Sequence, residues 1–212
     1  MKVSLFSTSP NTRASASTNS NTNTNTNSNA NTNANSYRIS NKCKKQIMKR
    51  ESCSLTVYRD NTGFSIGYGH RLKKGENYKK ISKAKAEQLF REDIKSVEAS
   101  INRILKDIKF KPTQNFIDGL GDLVYNCGET GVKKSEFYKR LCRCRVKNGK
   151  VNQNDFNYTV AAVKTMRLPS AKTGLKNGVA KRRYETYKQM LNVKHGRNYS
   201  LLATCVSVLF RK

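Results

Sequence analysis

Ala86, Leu89, Phe90, Val97, Ile101, Ile104, Leu105 and Ile108 recur at spacings of three and four, with Asp93 the one polar member of the series. That spacing puts them on one stripe of an α-helix. Ser82 is a good N-cap and Pro112 stops any continuation, so the spacing predicts one helix over residues 82–108, about 40 Å long at 1.5 Å per residue. A helix of that length reads as a connector between the segments on its two sides.

Those segments differ in kind. On the N-terminal side, order is expected to begin near Tyr37 to Lys42, and Ile47 and Met48 sit in a basic run ending at Glu51, a short helix. Leu55-Thr56-Val57-Tyr58 has the β-branched and aromatic composition of a strand, and Gly63, Gly67 and Gly69 punctuate a tight hairpin region. Beyond Pro112, Phe116, Leu120, Leu123, Val124 and Cys127 suggest a second helix broken at "CGETG", and further helical patterns run over about 135–146, 153–166 and 177–192. The expected class is therefore α+β: a small β-hairpin-containing lobe at 37–81, a linking helix at 82–108 and a larger helical lobe at 109–192. A cleft between two lobes is a common place for a ligand.

Residues 14–36 alternate Asn with Ser, Thr and Ala and contain no large apolar side chain. Such a stretch cannot offset the entropy of ordering, so residues 1–36 are expected to be a disordered leader. The last segment, 193–212, has no assigned role. Its "SLLATCVSVLF" falls well short of the ~20 residues that a membrane-spanning helix needs.

The net charge of +28, from 42 basic and 14 acidic residues, must lie mostly at the surface, where it attracts polyanions. Nucleic acid, an anionic membrane face and a bacterial wall with its anionic polymers all qualify, and charge alone does not choose. The six cysteines are even in number, but "MKVSLFSTSP" lacks the apolar run of about 7–15 residues that marks an export signal, so a reducing cytoplasm is expected. His70 and His195 are the only histidines, and Cys142-x-Cys144 has no second cysteine pair, so no metal site is expected.

With acids so scarce, their placement is informative. Glu87, Glu92, Asp93 and Glu98 lie on the long helix, where lysines at i+3 or i+4 would explain them as surface partners. Glu51 and Asp60 differ: one ends the first helix and the other stands in the hairpin nine residues later, so two carboxylates can converge on one opening. Cleaving a glycosidic bond needs such a pair, one protonated to donate to the leaving oxygen and one ionised. The spacing equally allows Glu51 to pair with Arg50 or a lysine while Asp60 caps a turn through Asn61-Thr62-Gly63.

The stretch "ESCSLTVYRDNTGFSIGYGH" resembles the catalytic signature of phage-type lysozymes, glycoside hydrolase family 24. In that family a Glu ending the first helix is followed by Asp, then Thr or Ser, then an Ile-Gly-x-Gly-His run. "YNCGETG" at 125–131 is similar to the stretch that lines the far wall of the family's cleft, and "GVAKRRYETYKQML" at 178–191 resembles its C-terminal basic helix, so the likeness covers residues 38–192.

The resemblance implies that Glu51 is the general acid, its pKa raised by partial burial and opposed by a nearby Arg182 or Arg183. It implies that Asp60 is the ionised partner and that Ser65 holds the attacking water, with about 6.5–9.5 Å between the carboxyls, as inversion requires. Arg71, Tyr125, Asn126 and Ser135 are expected to line the cleft and contact sugar rings or N-acetyl groups, and His70 to be structural, paired with an acid. Two departures stand out. Ser65 follows Asp60 by five residues where the family has six, and Ser52 replaces the glycine after the catalytic Glu, a strain if that position needs positive φ.

The implied activity is hydrolysis of the β-1,4 bond between N-acetylmuramic acid and N-acetylglucosamine in peptidoglycan, without a cofactor and by a monomer. The enzyme would wait in the host bacterium's cytoplasm until the membrane is opened, then reach the wall. Two alternatives share the charge: a non-enzymatic nucleic-acid binder, for which no specific recognition motif is present, and a cationic protein that disrupts membranes through residues 177–192.

Overall fold

The computed structural model describes residues 36–60, 63–166 and 176–192; the leader up to residue 35, the tail at 193–212 and Cys205 lie outside the described residues. The first helix, α1 (Asn41–Glu51), begins where the Ser40 hydroxyl accepts from the Cys43 amide, and Lys49 and Arg50 complement the carbonyl end of its dipole. Cys43 and Ile47 form its buried face. It stops at Ser52, whose φ of 59° and ψ of −171° cannot continue a helix.

The chain then forms an antiparallel sheet in the order β1 (Ser54–Asp60), β2 (Gly63–Gly67), β3 (His70–Arg71). Tyr58 pairs with Ser65, Arg59 with Phe64 and Asp60 with Gly63. Side chains alternate across a strand, so Tyr58 and Asp60 share a face with Ser65 while Arg59 and Phe64 point the other way. Residues 79–81 partly cover the outer edge of β1, through bonds from the Val57 amide to the Lys79 carbonyl and from the Ile81 amide to the Leu55 carbonyl.

Helix α2 (Lys83–Leu105) starts on the Ser82 cap, as its sequence predicts, and buries Leu89, Phe90, Ile94, Ile101 and Ile104. It ends at Leu105 rather than 108. The chain turns there and buries Phe110 edge-on against Phe116 and Phe156, which a continuing helix would carry away. Helix α3 (Gln114–Lys133) follows, capped by Thr113 and interrupted at Gly128 (φ 69°, ψ 164°), the expected break, after which helical backbone resumes.

The expected helix over 135–146 is replaced by a short α4 (Glu136–Leu141) and a hairpin of β4 (Val146–Lys147) and β5 (Lys150–Val151). The cause is Asn148-Gly149, both at positive φ (51° and 70°), which makes a two-residue turn matched to strand twist and foreign to a helix. Helix α5 (Gln153–Ala161) runs into a single 3₁₀ turn (Ala162–Thr165), and α6 (Lys176–Met190) closes the described fold. The core joins α1, α2, α3 and α6 around Ile39, Ile47, Leu89, Ile101, Phe116, Leu120, Leu123 and Met190, and Ile66 of β2 belongs to it. The ends of α1 and β1 are thus tied to one packed body.

Candidate active site

Asp60, at the end of β1, is met from three sides. The Gly63 amide and Arg71 Nη2 donate to Oδ1 at 3.1 and 3.0 Å, and Ser65 Oγ donates to Oδ2 at 3.1 Å. The turn cap that the spacing allowed is present, and the Ser65 contact stands beside it. The hairpin that is one residue short still points Ser65, only 2% exposed, at the carboxylate. Arg71 reaches this site as the cation beside Asp60.

Glu51 ends α1 with its side chain 21% exposed. Its partner is neither Arg50 nor a lysine: Arg182 of α6 donates through Nη1 to Oε1 at 2.6 Å. The other oxygen, Oε2, faces Gly69, where even an added Cβ would remain 3.8 Å away. Arg182 is itself gripped by Asp122 of α3 through two bonds, Nη2 to Oδ1 at 2.9 Å and Nε to Oδ2 at 3.2 Å. Asp122 also accepts from Thr186 Oγ1 at 2.9 Å and is ion-paired with Arg50, whose Nη1 lies 2.9 Å from Oδ1, and Arg50 bridges on to Glu185.

Asp122 is 1% exposed. Burial would raise its carboxyl, but the guanidiniums of Arg182 and Arg50 and the Thr186 hydroxyl outweigh it and hold the group below the usual carboxylate range. Desolvation works against Arg182 too, yet Asp122 and Glu51 keep it cationic well above the ordinary arginine value.

The segment at β3 links the two acids: Glu51 Oε2 faces Gly69 just before it, and Arg71 within it donates to Asp60 and pairs with Ser65. Burial pushes the Tyr58 phenol up, and the negative charges of Asp60 and Glu51 push it further. Tyr58, directly across the hairpin from Ser65, shares a face with Asp60 and Ser65, and Glu51 reaches the end of the same sheet at Gly69.

The remaining candidates are placed as follows. Tyr125 of α3 donates its hydroxyl to the Tyr68 carbonyl at 2.6 Å and packs on Phe90, bracing the turn before β3; burial raises its phenol. Asn126 is exposed and accepts from Arg183 Nη2 at 2.6 Å. Ser135 caps α4, its hydroxyl accepting from the Tyr138 amide and donating to the Val132 carbonyl, and lines a second cavity with Thr130, Lys134 and Phe137. His70 is buried between two acids, Nδ1 on Asp93 at 2.9 Å and Nε2 on Glu76 at 3.1 Å. Asp93 is thus an internal partner of the sheet rather than a surface acid of α2, and Glu98 likewise accepts from the Ile39 amide. Among the described residues no group of three or more His, Cys, Asp or Glu is arranged to hold a metal ion, and no helix is long and apolar enough to cross a membrane.

The sequence reading missed Tyr58, Arg50 and Asp122. A signal for the last was present: Asp118 and Asp122 stand one helical turn apart within the otherwise apolar "FIDGLGDLV".

Residues 48–185 match the family model described as Phage lysozyme. The chain belongs to the phage lysozyme family. The enzyme is 32% identical over 152 residues to an endolysin of Acyrthosiphon pisum secondary endosymbiont phage 1, a match covering 68% of this chain and 92% of that relative. Among solved structures, an endolysin from Escherichia coli O157:H7 phage FAHEc1 superposes with a TM-score of 0.57 at 28% identity, over 76% of this chain and 98% of that one. A mutant of P22 lysozyme shares the fold at a TM-score of 0.53 and 22% identity, over 73% of this chain and 99% of that one. The family makes the enzyme a glycoside hydrolase of the lysozyme type, acting on peptidoglycan, and the lysozyme-like α+β fold expected from the sequence is the one observed.

Proposed function

We propose that the enzyme cuts the β-1,4 bond between N-acetylmuramic acid and N-acetylglucosamine with Glu51 as general acid and Asp60 with Ser65 holding the water. The observation that carries this reading is that Glu51, whose Oε2 faces Gly69, and Asp60, held by Ser65 and Arg71, meet the same short stretch of chain at residues 69–71. Arg182 occupies Glu51 Oε1, so Oε2, on the Gly69 side, is the oxygen through which the proton passes to the leaving sugar oxygen. As that proton moves, the C–O bond breaks and positive charge grows on the sugar ring, where the Asp60 carboxylate offsets it.

Ser65 spends its hydroxyl proton on Asp60, so its lone pairs remain to accept from the attacking water. Water gives its oxygen to the anomeric carbon and its proton to Asp60. Arg71, on Oδ1, keeps the carboxylate turned so that Oδ2 stays with Ser65. The enzyme acts as a monomer with no cofactor, and its charge of +28 gathers it on the anionic wall polymers of the host once the membrane has been opened.

Loss of turbidity of purified bacterial walls tests the assignment. A general acid contributes roughly 10²–10⁴-fold, so Glu51→Gln is expected to slow clearing at least ~100-fold. Clearing by that variant at the rate of the unaltered enzyme defeats the proposal.

A further inference from the structure

A cavity of about 700 Å³ opens between the C-terminal end of α1, the N-terminal half of α6 and Asn126 of α3. Lys49 and Arg50 line it from α1, Lys181 and Arg182 from α6, and Glu185 is the one acid among its lining residues. The arginines are already engaged, Arg50 with Asp122 and Glu185, Arg182 with Asp122 and Glu51. Lys49 and Lys181 are exposed and have no acidic partner among the described residues.

Gln46 and the Glu185 carboxylate also line the cavity, but the charged groups there that have no ion pair among the described residues, Lys49 and Lys181, are both donors. Asn126 spends its carbonyl oxygen on Arg183 and keeps its NH₂, and the two lysines can only donate. A sugar hydroxyl asks for acceptors as well as donors, whereas a carboxylate or phosphate only accepts and gains most from charged donors. The cavity also shares a wall with the catalytic group, since Arg182 lines it and holds Glu51.

We propose that this cavity is an oxyanion subsite of the wall substrate, taking a carboxylate or a phosphate with Lys49 and Lys181 as the groups that meet it. The substrate role rests on the hydrolase reading above; the oxyanion chemistry does not. Peptidoglycan offers both sources, stem-peptide carboxylates on the glycan and phosphates on attached polymers.

The test is titration of the full-length protein and its Lys49→Gln/Lys181→Gln variant with a stem tetrapeptide and, separately, with glycerol phosphate. A second variant, Lys147→Gln/Lys150→Gln, removes the same charge from the exposed β4–β5 hairpin. Loss of two charged donors is expected to weaken binding about tenfold for one of the two probes, with the hairpin variant unchanged. Weakening confined to the tetrapeptide identifies the carboxylate, and weakening confined to glycerol phosphate the phosphate. Equal weakening in the hairpin variant, or no binding of either probe, overturns the subsite. Probe binding by an unaltered enzyme that clears no walls removes the hydrolase reading and keeps the oxyanion site.

Discussion

Ser52 carries the backbone strain nearest the chemistry. Its φ of 59° with ψ of −171° lies in a region that is essentially glycine's alone, and residues held there cost of order 1–3 kcal/mol. Gly in its place would relieve the strain and return part of it as unfolded-state entropy, so Ser52→Gly is expected to gain about 1 kcal/mol, a rise in Tm of about 2–4 °C by calorimetry. An unchanged or lower Tm counts against the strain. Asp122 is the second residue whose environment fixes an outcome. Its carboxyl sits below the ordinary range in the fold and near ~3.9 in the unfolded chain, so the stability it adds is present above about pH 4 and lost as pH falls below that. Asp122→Asn strands Arg182 and Arg50 opposite a neutral group and should cost about 3 kcal/mol at neutral pH. Urea melts across pH 2–7 should then show a flatter acid limb in the variant, and parallel limbs would remove Asp122 from the account of acid stability.

At the scale of elements, the seating of α1 on α3 governs where Glu51 ends up. Ile39, just before α1, packs on the bare backbone of Gly121, and a Cβ built there collides with the Ile39 side chain. Gly121→Ala gains helix propensity of ~1 kcal/mol but must push α1 away, and overpacking costs about 1–3 kcal/mol. A lower Tm together with slower wall clearing is the expected result, because Glu51 moves with its helix; a more stable and fully active variant would show that the contact has slack. What the sequence revealed follows from range. Helix α2 was legible because its period and its Ser82 cap are local, and so were the positions of Glu51 at a helix end and Asp60 in a hairpin, which nearby residues set. The 135–146 segment was misread because apolar spacing was weighed over Asn148-Gly149, a hairpin signal in plain view. The grip of Asp122 on Arg182 spans 60 residues and that of Arg182 on Glu51 spans 131, and no local pattern encodes either.

Across the whole molecule, the acids are spent internally. Eight of the fourteen, Glu51, Asp60 and Asp122 among them, are paired with Lys or Arg within the fold and two more, Glu76 and Asp93, hold the His70 ring, so little negative charge is left to break up the outer field. A surplus of 28 positive charges then acts at long range on any polyanion, speeding encounter more than it changes chemistry. Salt separates the two effects. The screening length falls from ~10 Å at 0.1 M to ~3 Å at 1 M, which removes attraction between exposed charges but leaves the 2.6 Å contact of Arg182 with Glu51 largely unscreened. Wall-clearing kinetics over that range are therefore expected to show the apparent KM rising about tenfold or more while kcat at saturating wall holds within about twofold. A kcat that falls while KM stays constant would locate the salt sensitivity in the Glu51–Arg182–Asp122 cluster, and the surface charge would then have no part in delivering the enzyme to its substrate.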